Sequence, residues 1–486
     1  MTVHLVGAGC GTPALLTLAA KEILSRADHV VYDRLIHPDL LQLCSASCRF
    51  HPVGKRRDDH FLSQEGINGL LLSLGQGEGT VVRLKGGDPF LFGRGGEEAL
   101  ALQEGAVFWQ AIPGLSAALA GGMVGLGPTQ RGLARSLTVA TGQTEEEALD
   151  GAFWSALAAS PGTLALYMAV SLFPDIARSL QEGGLSPQTA AAAVTWAGWG
   201  RAKVWRGTLS GLAEAARRGE VRSPSILYVG AVTELPLRPS RGPLQGLQIA
   251  CCRPAPQSWE TARFLETFGA DAYSLPLLRQ EGLDVSVFRR SLPRADWIVL
   301  TSPRGVPLLK DAAEDLRRIR GRLAAIGKGT AEALRRQGLV ADAVAAPETS
   351  QGLARLLSEV VVEGDRVLFL RNERGSDLAV EAARSQGAVV EECAAYRMVP
   401  AAVPAEELYR EHWSDSPLDA VLFGSAALAE AWRDRFGPLA EGCRAVAWGR
   451  NCGEAVRDLF GLEPCVMETP HLHSLVETLR GAFDRG

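Results

Sequence analysis

The stretch VVRLKGGDPFLFGRGGEE, Val81 to Glu98, decides the fold of the first part of the chain. The apolar run at Thr80–Val82 predicts a buried strand, and the five glycines after it predict a long loop. Glycine has no Cβ, so such a loop lets backbone approach a ligand closely. Asp88 in the loop can accept hydrogen bonds from ligand amines or hydroxyls. Glu97–Gln103 then predicts a helix with acid in its first turn, where the helix dipole favours it. A plain turn with solvated charges is the alternative, and five glycines would be costly for it.

Cations surround this loop in the sequence. Arg83, Lys85 and Arg94 stand in or beside it, and a run Lys55-Arg56-Arg57 follows Gly54 after a predicted strand at Arg49–Val53. Guanidinium and ammonium groups suit a ligand rich in carboxylates or phosphates. A solvated charge run remains the alternative for residues 55–57.

The chain opens with a similar unit. Val3–Gly7 predicts a strand, a glycine turn follows it, and Leu15–Ser25 predicts a helix. The dinucleotide-binding pattern would need glycine at position 12, where Thr12 stands, so only a βαβ start with backbone amides facing a ligand is predicted. A second strand, His29–Tyr32, ends at Asp33. Ligands gather at the carboxyl ends of parallel strands, so Asp33 is a candidate base, with a helix cap or an ion pair with Arg34 as alternatives.

Composition limits the class of protein. The 486 residues predict three or four domains, and 47% apolar with 22% charged residues is ordinary for a globular protein. A net charge of −5 predicts no attraction to nucleic acid. Neither a secretion signal nor an apolar run of membrane-spanning length is evident, so we expect a soluble cytoplasmic protein that binds no membrane. The nine cysteines contain no CxxC pair, and Cys44, Cys48 and His51 alone do not predict a metal site.

The pattern of strands predicts several α/β units. A second series of strands begins at Ser136, and the proline- and glycine-rich segment 233–246 predicts a flexible linker. Beyond it, strands ending in small polar turns recur, which indicates two similar α/β lobes. The predicted domains are 1–118, 119–232, the linker 233–246, one lobe from 247–281 plus 400–486, and a second lobe from 282–399.

Motifs in the front half occur in a familiar order. VGAGCGTPALLTLAA, VVYDRL, VGKR, RLKGGDPFLFGRGGEE, IPGLSAA and a strand ending in Tyr167-Met168 make the region from Thr2 to about Val232 resemble uroporphyrinogen-III C-methyltransferases of the tetrapyrrole methylase family. From about Leu247, the segments CCRP, DWIVLTS, AAIGKGTAEAL and AAYR resemble uroporphyrinogen-III synthases. The resemblance implies a two-domain methylase fold followed by a bilobal, flavodoxin-like synthase unit.

The resemblance also implies functional residues for the front half. The proton acceptor falls on Asp33 and the proton donor on Lys55. S-adenosyl-L-methionine would be bound by Cys10, Gly86, Gly87, Asp88, Leu91, Ser116, Ala117, Met168 and Ala197. The carboxylates of uroporphyrinogen III need cations, for which the candidates are Lys55, Arg56, Arg83, Arg94 and Arg131. Arg83 and Arg94 are expected either to face these carboxylates or to brace the loop. The implied reaction is methylation at C2 and then C7, which yields precorrin-2, the branch point toward sirohaem and cobalamin.

For the back half, the resemblance implies cyclisation of hydroxymethylbilane to uroporphyrinogen III without metal or cofactor. Tyr396 would assist departure of the hydroxyl group, or else be a half-buried strand tyrosine. Thr301, Ser302, Gly329, Thr330 and Ser425 would offer turn hydroxyls and amides to the propionate and acetate groups. The family further implies a homodimer through the methylase half.

Departures from the family patterns leave two alternatives. Cys10 and Thr12 stand where proline and aspartate are usual, Gln130 stands where histidine is common, and Arg450-Asn451-Cys452 lacks the usual threonine. The first alternative is another methylase of the same fold. The second is a back half that senses a ligand rather than catalyses a reaction.

Overall fold

The computed structural model describes residues 2–54, 62–143, 151–160, 162–469 and 471–483. The predicted α/β class is confirmed by four sheets with helices between their strands. Contacts divide the chain into two units. The first contains the residues up to Leu277 together with those from Ala402 onward, and the second contains Leu278–Ala401. No helix among the described residues is both long and apolar enough to cross a membrane.

The first sheet is parallel, in the order β3-β2-β4-β1-β5. Its central strand β4 is buried along its whole length and continues to Lys85, beyond the apolar run that predicted it. The elements are β1 (Thr2–Gly7), α1 (Leu18–Ser25), β2 (His29–Tyr32), β3 (Arg49–Pro52), α2 (Gln64–Gln76), β4 (Val81–Lys85), α3 (Gly95–Glu104) and β5 (Phe108–Ile112), with short 3-10 helices at Pro13–Leu15, Pro38–Leu43 and Ala117–Val124.

The second sheet is mixed, in the order β6-β7-β10-β8-β9, with β6 and β7 parallel and the other pairs antiparallel. An apolar core that includes Leu166, Phe173 and Leu227 lies on one side of it. The elements are β6 (Leu137–Thr141), α4 (Gly151–Ala158), β7 (Thr163–Tyr167), α5 (Phe173–Glu182), β8 (Ala190–Thr195), β9 (Lys203–Thr208), α6 (Leu209–Arg217) and β10 (Ser225–Val229), followed by a 3-10 helix at Ala231–Glu234.

The third sheet is parallel, in the order β12-β11-β19-β20-β21, and belongs to the same unit as the first two. It is built from two separate parts of the chain. The elements are β11 (Gln248–Cys252), α7 (Gln257–Glu266), β12 (Asp271–Ser274), α13 (Glu406–Asp415), β19 (Ala420–Phe423), α14 (Ala426–Phe436), β20 (Arg444–Ala447), α15 (Arg450–Phe460), β21 (Cys465–Val466) and α16 (Leu472–Phe483).

The fourth sheet forms the second unit, in the order β13-β18-β17-β14-β15-β16, with only the β13–β18 pair antiparallel among its described strands. Its first strand begins at Leu278, ahead of the lobe boundary predicted at 282. The elements are β13 (Leu278–Gly282), α8 (Ser286–Ser291), β14 (Trp297–Leu300), α9 (Gly305–Ala313), β15 (Arg322–Ala325), α10 (Lys328–Arg336), β16 (Ala343–Val344), α11 (Ser350–Val360), β17 (Arg366–Asn372), α12 (Leu378–Ser385) and β18 (Val389–Pro400), with 3-10 helices at Leu292–Arg294 and Leu316–Arg318.

The segment 233–246 is held by the folded parts on either side of it. The carbonyl oxygen of Thr233 accepts a hydrogen bond from Arg206 Nε at 3.3 Å. Leu244 is fully buried in the apolar core beside the third sheet. The proline and glycine content predicts a flexible linker. The segment is instead anchored at both ends, by the hydrogen bond to Thr233 and by the burial of Leu244.

Candidate functional site

Three loops meet at the carboxyl edge of the first sheet, after β1, β4 and β5. The amide of Gly87 donates to the Gly9 carbonyl at 2.7 Å, and the Gly9 amide donates back to the Gly87 carbonyl at 3.3 Å. A Cβ on Gly114 would lie 2.1 Å from the Gly87 carbonyl oxygen. Because that separation is far below any van der Waals contact, the three loops can touch only as bare backbone.

The carboxylate of Asp88 ties two of these loops together. Its Oδ1 accepts from the Phe90 amide at 2.8 Å, and its Oδ2 accepts from the Gly114 amide at 3.1 Å. Each carboxylate oxygen has a second lone pair, so Asp88 keeps the capacity to accept from a ligand amine or hydroxyl. The residue therefore shapes the loops in addition to the ligand contact that the sequence predicts.

The end of β7 and the segment after β5 meet through two tyrosines. The Tyr167 phenolic oxygen accepts from the Ala118 amide at 2.8 Å, and the Tyr228 hydroxyl donates to the Ala118 carbonyl at 2.9 Å. Burial raises the pKa of both phenols, so both stay protonated at neutral pH. Together they fix the backbone that begins at Ser116, beside Gly87. Tyr167 was predicted only as part of a motif and Tyr228 was not predicted, because a tyrosine in a buried strand carries no distinctive local signal.

Several of the predicted cofactor-binding residues share one apolar cluster. Cys10, Ala118 and Ala197 are buried in it, and Ala117 packs against it. Burial raises the pKa of the Cys10 thiol to about 11, so the side chain is neutral and offers an apolar wall. Met168, in the same part of the unit, has a positive φ of 50° and is 46% exposed. Gly86 and Leu91, on the glycine loop itself, are both accessible to solvent.

A buried ion cluster lies beneath this edge of the sheet. Arg83 Nη2 donates to Asp33 Oδ1 at 2.9 Å, and Arg83 Nε donates to Glu98 Oε1 at 3.0 Å. Lys85 Nζ donates to the same Glu98 oxygen at 2.7 Å. Arg83 is 2% exposed and Glu98 is fully buried, whereas Asp33 keeps 31% of its side chain accessible. The two cations and two carboxylates balance, and the cluster holds Asp33 at the solvent-facing end of β2.

This geometry corrects the sequence interpretation of Arg83 and Lys85. Both were expected in or beside the loop, with Arg83 either facing substrate carboxylates or bracing the loop. Both are instead strand residues of β4 whose charged ends point to Glu98. The sequence could not indicate this, because the neutralising carboxylate lies 13 and 15 residues further along the chain. Burial lowers the pKa of the Lys85 ammonium, although Glu98 opposes this effect. The geometry of Arg83 favours the alternative in which it braces the site.

The other cations predicted to contact substrate are placed as follows. Arg94 is exposed and forms a bidentate ion pair with Glu97 at 2.8 and 2.6 Å. Arg131 is exposed in a turn that begins at Gln130. Lys55 and Arg56 lie outside the described residues.

The candidate residues of the back half lie in both units. In the second unit, Thr301 and Ser302 are half-buried after β14, and Gly329 is exposed near the start of α10. Thr330 is buried, and its hydroxyl has no hydrogen-bond partner among the described residues. Tyr396 is 2% exposed and packs in the apolar core with Phe288, so it is more deeply buried than a half-buried strand tyrosine. In the first unit, Ser425 is exposed immediately before α14.

The fold and the site define a class of protein when they are compared with known families. The model of the family described as Tetrapyrrole (Corrin/Porphyrin) Methylases matches residues 2–213. The model of the family described as Uroporphyrinogen-III synthase HemD matches residues 260–477. The chain therefore joins a tetrapyrrole methylase region to a uroporphyrinogen-III synthase region.

A curated relative makes the family assignment more specific. The uroporphyrinogen-III C-methyltransferase of Bacillus subtilis (strain 168) is 32% identical over 353 residues, which are 70% of this chain and 73% of the relative. The chain belongs to the uroporphyrinogen-III C-methyltransferase family.

Two further proteins show how far the similarity extends. A siroheme synthase of Chromobacterium violaceum is 40% identical over 234 residues, and the match spans 48% of this chain but only half of that relative. The crystal structure of a uroporphyrin-III C-methyl transferase from Thermus thermophilus, complexed with S-adenyl homocysteine, is 35% identical, with a TM-score of 0.42. That match covers 48% of this chain and all of the other.

Proposed function

We propose that the chain catalyses two consecutive steps of tetrapyrrole synthesis. The back half cyclises hydroxymethylbilane to uroporphyrinogen III, and the front half methylates that product at C2 and C7 to precorrin-2. The observation that carries the proposal is that both family models match one chain, in separate regions. The product of the reaction proposed for one region is the substrate of the reaction proposed for the other.

The methyl donor proposed for the front half is S-adenosyl-L-methionine, which supplies an electrophilic methyl group when bound. The glycine contacts support this choice, because a Cβ at Gly114 would collide with the Gly87 carbonyl, so the three loops can form a closely packed cradle of bare backbone. Gly86, Gly87 and Asp88 would line the cradle with backbone and one carboxylate. The remaining proposed cofactor contacts are Cys10, Leu91, Ser116, Ala117, Met168 and Ala197. Alignment is the main requirement for methyl transfer from a sulfonium, because the leaving thioether is neutral.

Asp33 is the proposed base of the methylation reaction. Its carboxylate is partly exposed at the end of β2, and Arg83 holds one of its oxygens. A group that is fixed on one side and accessible on the other can take a proton from a bound macrocycle. Lys55 is the proposed donor, and Lys55, Arg56, Arg94 and Arg131 are the proposed contacts for substrate carboxylates.

The synthase half needs chiefly to fold a linear tetrapyrrole so that its ends meet. Thr301, Ser302, Gly329, Thr330 and Ser425 stand in turns or at helix starts, where hydroxyls and backbone amides suit carboxylates. Tyr396, buried in the apolar core of the second unit, is the proposed aid to hydroxyl departure. We further propose a cytoplasmic homodimer that pairs through the methylase half, on the resemblance to the family.

Asp33→Ala in the full chain tests the methylation assignment. With uroporphyrinogen III and S-adenosyl-L-methionine supplied, loss of a general base should lower kcat by about 10²–10⁴. Lys55→Ala should lower it in the same direction, whereas ring closure of hydroxymethylbilane should be unchanged in both variants. Asp175→Ala is the matched control, since that carboxylate pairs only with the exposed Arg178 among the described residues. Equal loss of methylation and ring closure in Asp33→Ala would contradict the assignment.

A further inference from the structure

Helix α13 packs against the loop that carries Asp33, although the contacting residues Arg34 and Asp415 are 381 positions apart in the chain. Arg34, the next residue after Asp33, forms an ion pair with Asp415 at the end of α13. The ring of His412, one turn earlier on α13, lies with its Nε2 3.2 Å from the Arg34 carbonyl oxygen. Both contacts lie inside the first unit. The loop is therefore held by side chains of the synthase region.

The hydrogen bonds of His412 define its tautomer. A carbonyl oxygen only accepts, so Nε2 carries the proton that is donated to Arg34. Nδ1 faces Nη2 of Arg201 at 3.5 Å, and a guanidinium only donates, so Nδ1 must be the acceptor. Burial, with Arg201 adding to it, lowers the pKa of His412 to about 3, which agrees with a neutral ring. The imidazole is thus a fixed link between the synthase region and the loop.

The following segment of the loop is anchored to the same region. Asp39, fully buried in the short 3-10 helix after the loop, accepts from Arg263 at 2.9 Å and from the Ser274 amide at 2.9 Å. The Tyr409 hydroxyl of α13 donates to its other oxygen at 2.9 Å. The segment 33–39 is therefore held near its start by α13, and at Asp39 by α7, β12 and α13.

A second contact reaches the glycine loop after β1. The Thr12 hydroxyl donates to Glu266 at the end of α7, and the Thr12 amide donates to the Gly198 carbonyl at 3.1 Å. Thr12 is one of the positions where the chain departs from the family pattern. The threonine at this position thus forms a direct hydrogen bond to the synthase region.

We propose that the synthase lobe built on the third sheet is a positioning element of the methylase site, in which His412 and Asp415 hold the Asp33 loop. The inference rests on the proposed function, because it concerns the same base. Its consequence is that methylation of supplied uroporphyrinogen III depends on the back half even though no ring closure is needed. A displacement of about 1 Å in a reacting group can lower a rate by about 10²-fold.

Three variants of the full chain test this role. His412→Ala removes the donor to the Arg34 carbonyl, and His412→Gln restores an N–H donor near the Nε2 position. Asp415→Ala removes the partner of Arg34 at a partly exposed site, so the expected loss of stability is small. Arg410→Ala is the control on the same helix, because its contacts with Glu406 and the Arg435 carbonyl stay within the lobe.

Two measurements give the outcome. The first is kcat and KM for methylation of supplied uroporphyrinogen III, with ring closure of hydroxymethylbilane measured in parallel. The second is amide hydrogen exchange in peptides covering residues 33–39. We expect His412→Ala and Asp415→Ala to lower methylation kcat about tenfold or more and to speed exchange in that peptide. KM for S-adenosyl-L-methionine and the rate of ring closure should change little, His412→Gln should recover most of the loss, and Arg410→Ala should resemble the wild type.

The results separate this inference from the proposed function. A wild-type chain that does not methylate uroporphyrinogen III would contradict the proposed function, while the exchange of residues 33–39 would still report whether α13 holds the loop. Wild-type methylation that His412→Ala and Asp415→Ala leave unchanged would overturn the positioning role. A loss in His412→Ala that His412→Gln does not recover, with ring closure lost in proportion, would overturn it as well.

Discussion

Replacing Glu98 by glutamine removes the carboxylate at the centre of the buried ion cluster. Its Oε1 lies 3.0 Å from Arg83 Nε and 2.7 Å from Lys85 Nζ, and both cations are buried. With an effective dielectric constant of about 20, each contact amounts to about 6 kcal/mol of Coulomb attraction before desolvation is subtracted. The variant leaves two buried cations opposite one carboxylate, Asp33. Breaking a buried pair in this way costs about 3–5 kcal/mol.

Amide hydrogen exchange of peptides covering Val81–Lys85 measures this loss where it arises. A loss of about 3–5 kcal/mol corresponds to exchange that is faster by about a hundredfold to a few thousandfold, if exchange follows the opening equilibrium. Glu97→Gln is the matched control, one residue earlier on the same helix. Its partner Arg94 is about half exposed, and such surface pairs contribute at most about 1 kcal/mol. Exchange in Glu98→Gln that stays within about tenfold of the wild type would refute the account of the cluster.

Two other substitutions probe the glycine loops and the contact between the regions. Gly114→Ala puts a Cβ against the Gly87 carbonyl and should weaken S-adenosyl-L-methionine binding, measured by calorimetry, at least about tenfold. Gly122→Ala is the control, because no atom lies within 4 Å of its new Cβ, and it should leave binding unchanged. Equal affinities of the two variants would contradict the proposed cradle. Burial raises the pKa of Glu266 to about 8 from an ordinary value of 4.5, although Arg263 opposes this effect, so the folded chain holds a proton that the unfolded chain releases. Glu266 should therefore make the stability of the folded chain fall as pH rises from about 4.5 to about 8. Glu266→Gln should flatten the pH profile of Tm over this range. Parallel Tm profiles for the wild type and the variant would contradict this role of Glu266.

The sequence was informative where function depends on local pattern. The glycine loop, the strand before it and the helix after it were all predicted from Val81–Glu98. Close approach of backbone to a ligand stays a prediction, and the structure shows instead that the backbone of Gly87 contacts that of Gly9. The approach of Gly114 to Gly87 was not predictable, because glycine at 114 stands in a short, ordinary turn sequence. The helix expected to start at Leu15 begins at Leu18, after a 3-10 turn at Pro13–Leu15.

The features that the sequence did not predict depend on contacts between residues far apart in the chain. The sequence predicts Arg83 and Lys85 as loop cations, whereas in the structure they are strand residues that Glu98 neutralises. Arg34 pairs with Asp415 and Thr12 with Glu266, across 381 and 254 positions in the chain. No periodicity or motif in one sequence indicates such pairs, since each is decided by how the methylase and synthase regions pack. The docking of Leu244 likewise depends on a pocket that exists only in the folded protein.

The coupled reaction tests the central claim, that one chain performs both steps. The purified full chain would receive hydroxymethylbilane and S-adenosyl-L-methionine without added synthase, and the product would be followed by absorbance and mass. The account predicts a tetrapyrrole that carries two added methyl groups, formed at a rate that added synthase does not raise. If methylation occurs only when preformed uroporphyrinogen III is supplied, the back half is not an active synthase and the claim is contradicted.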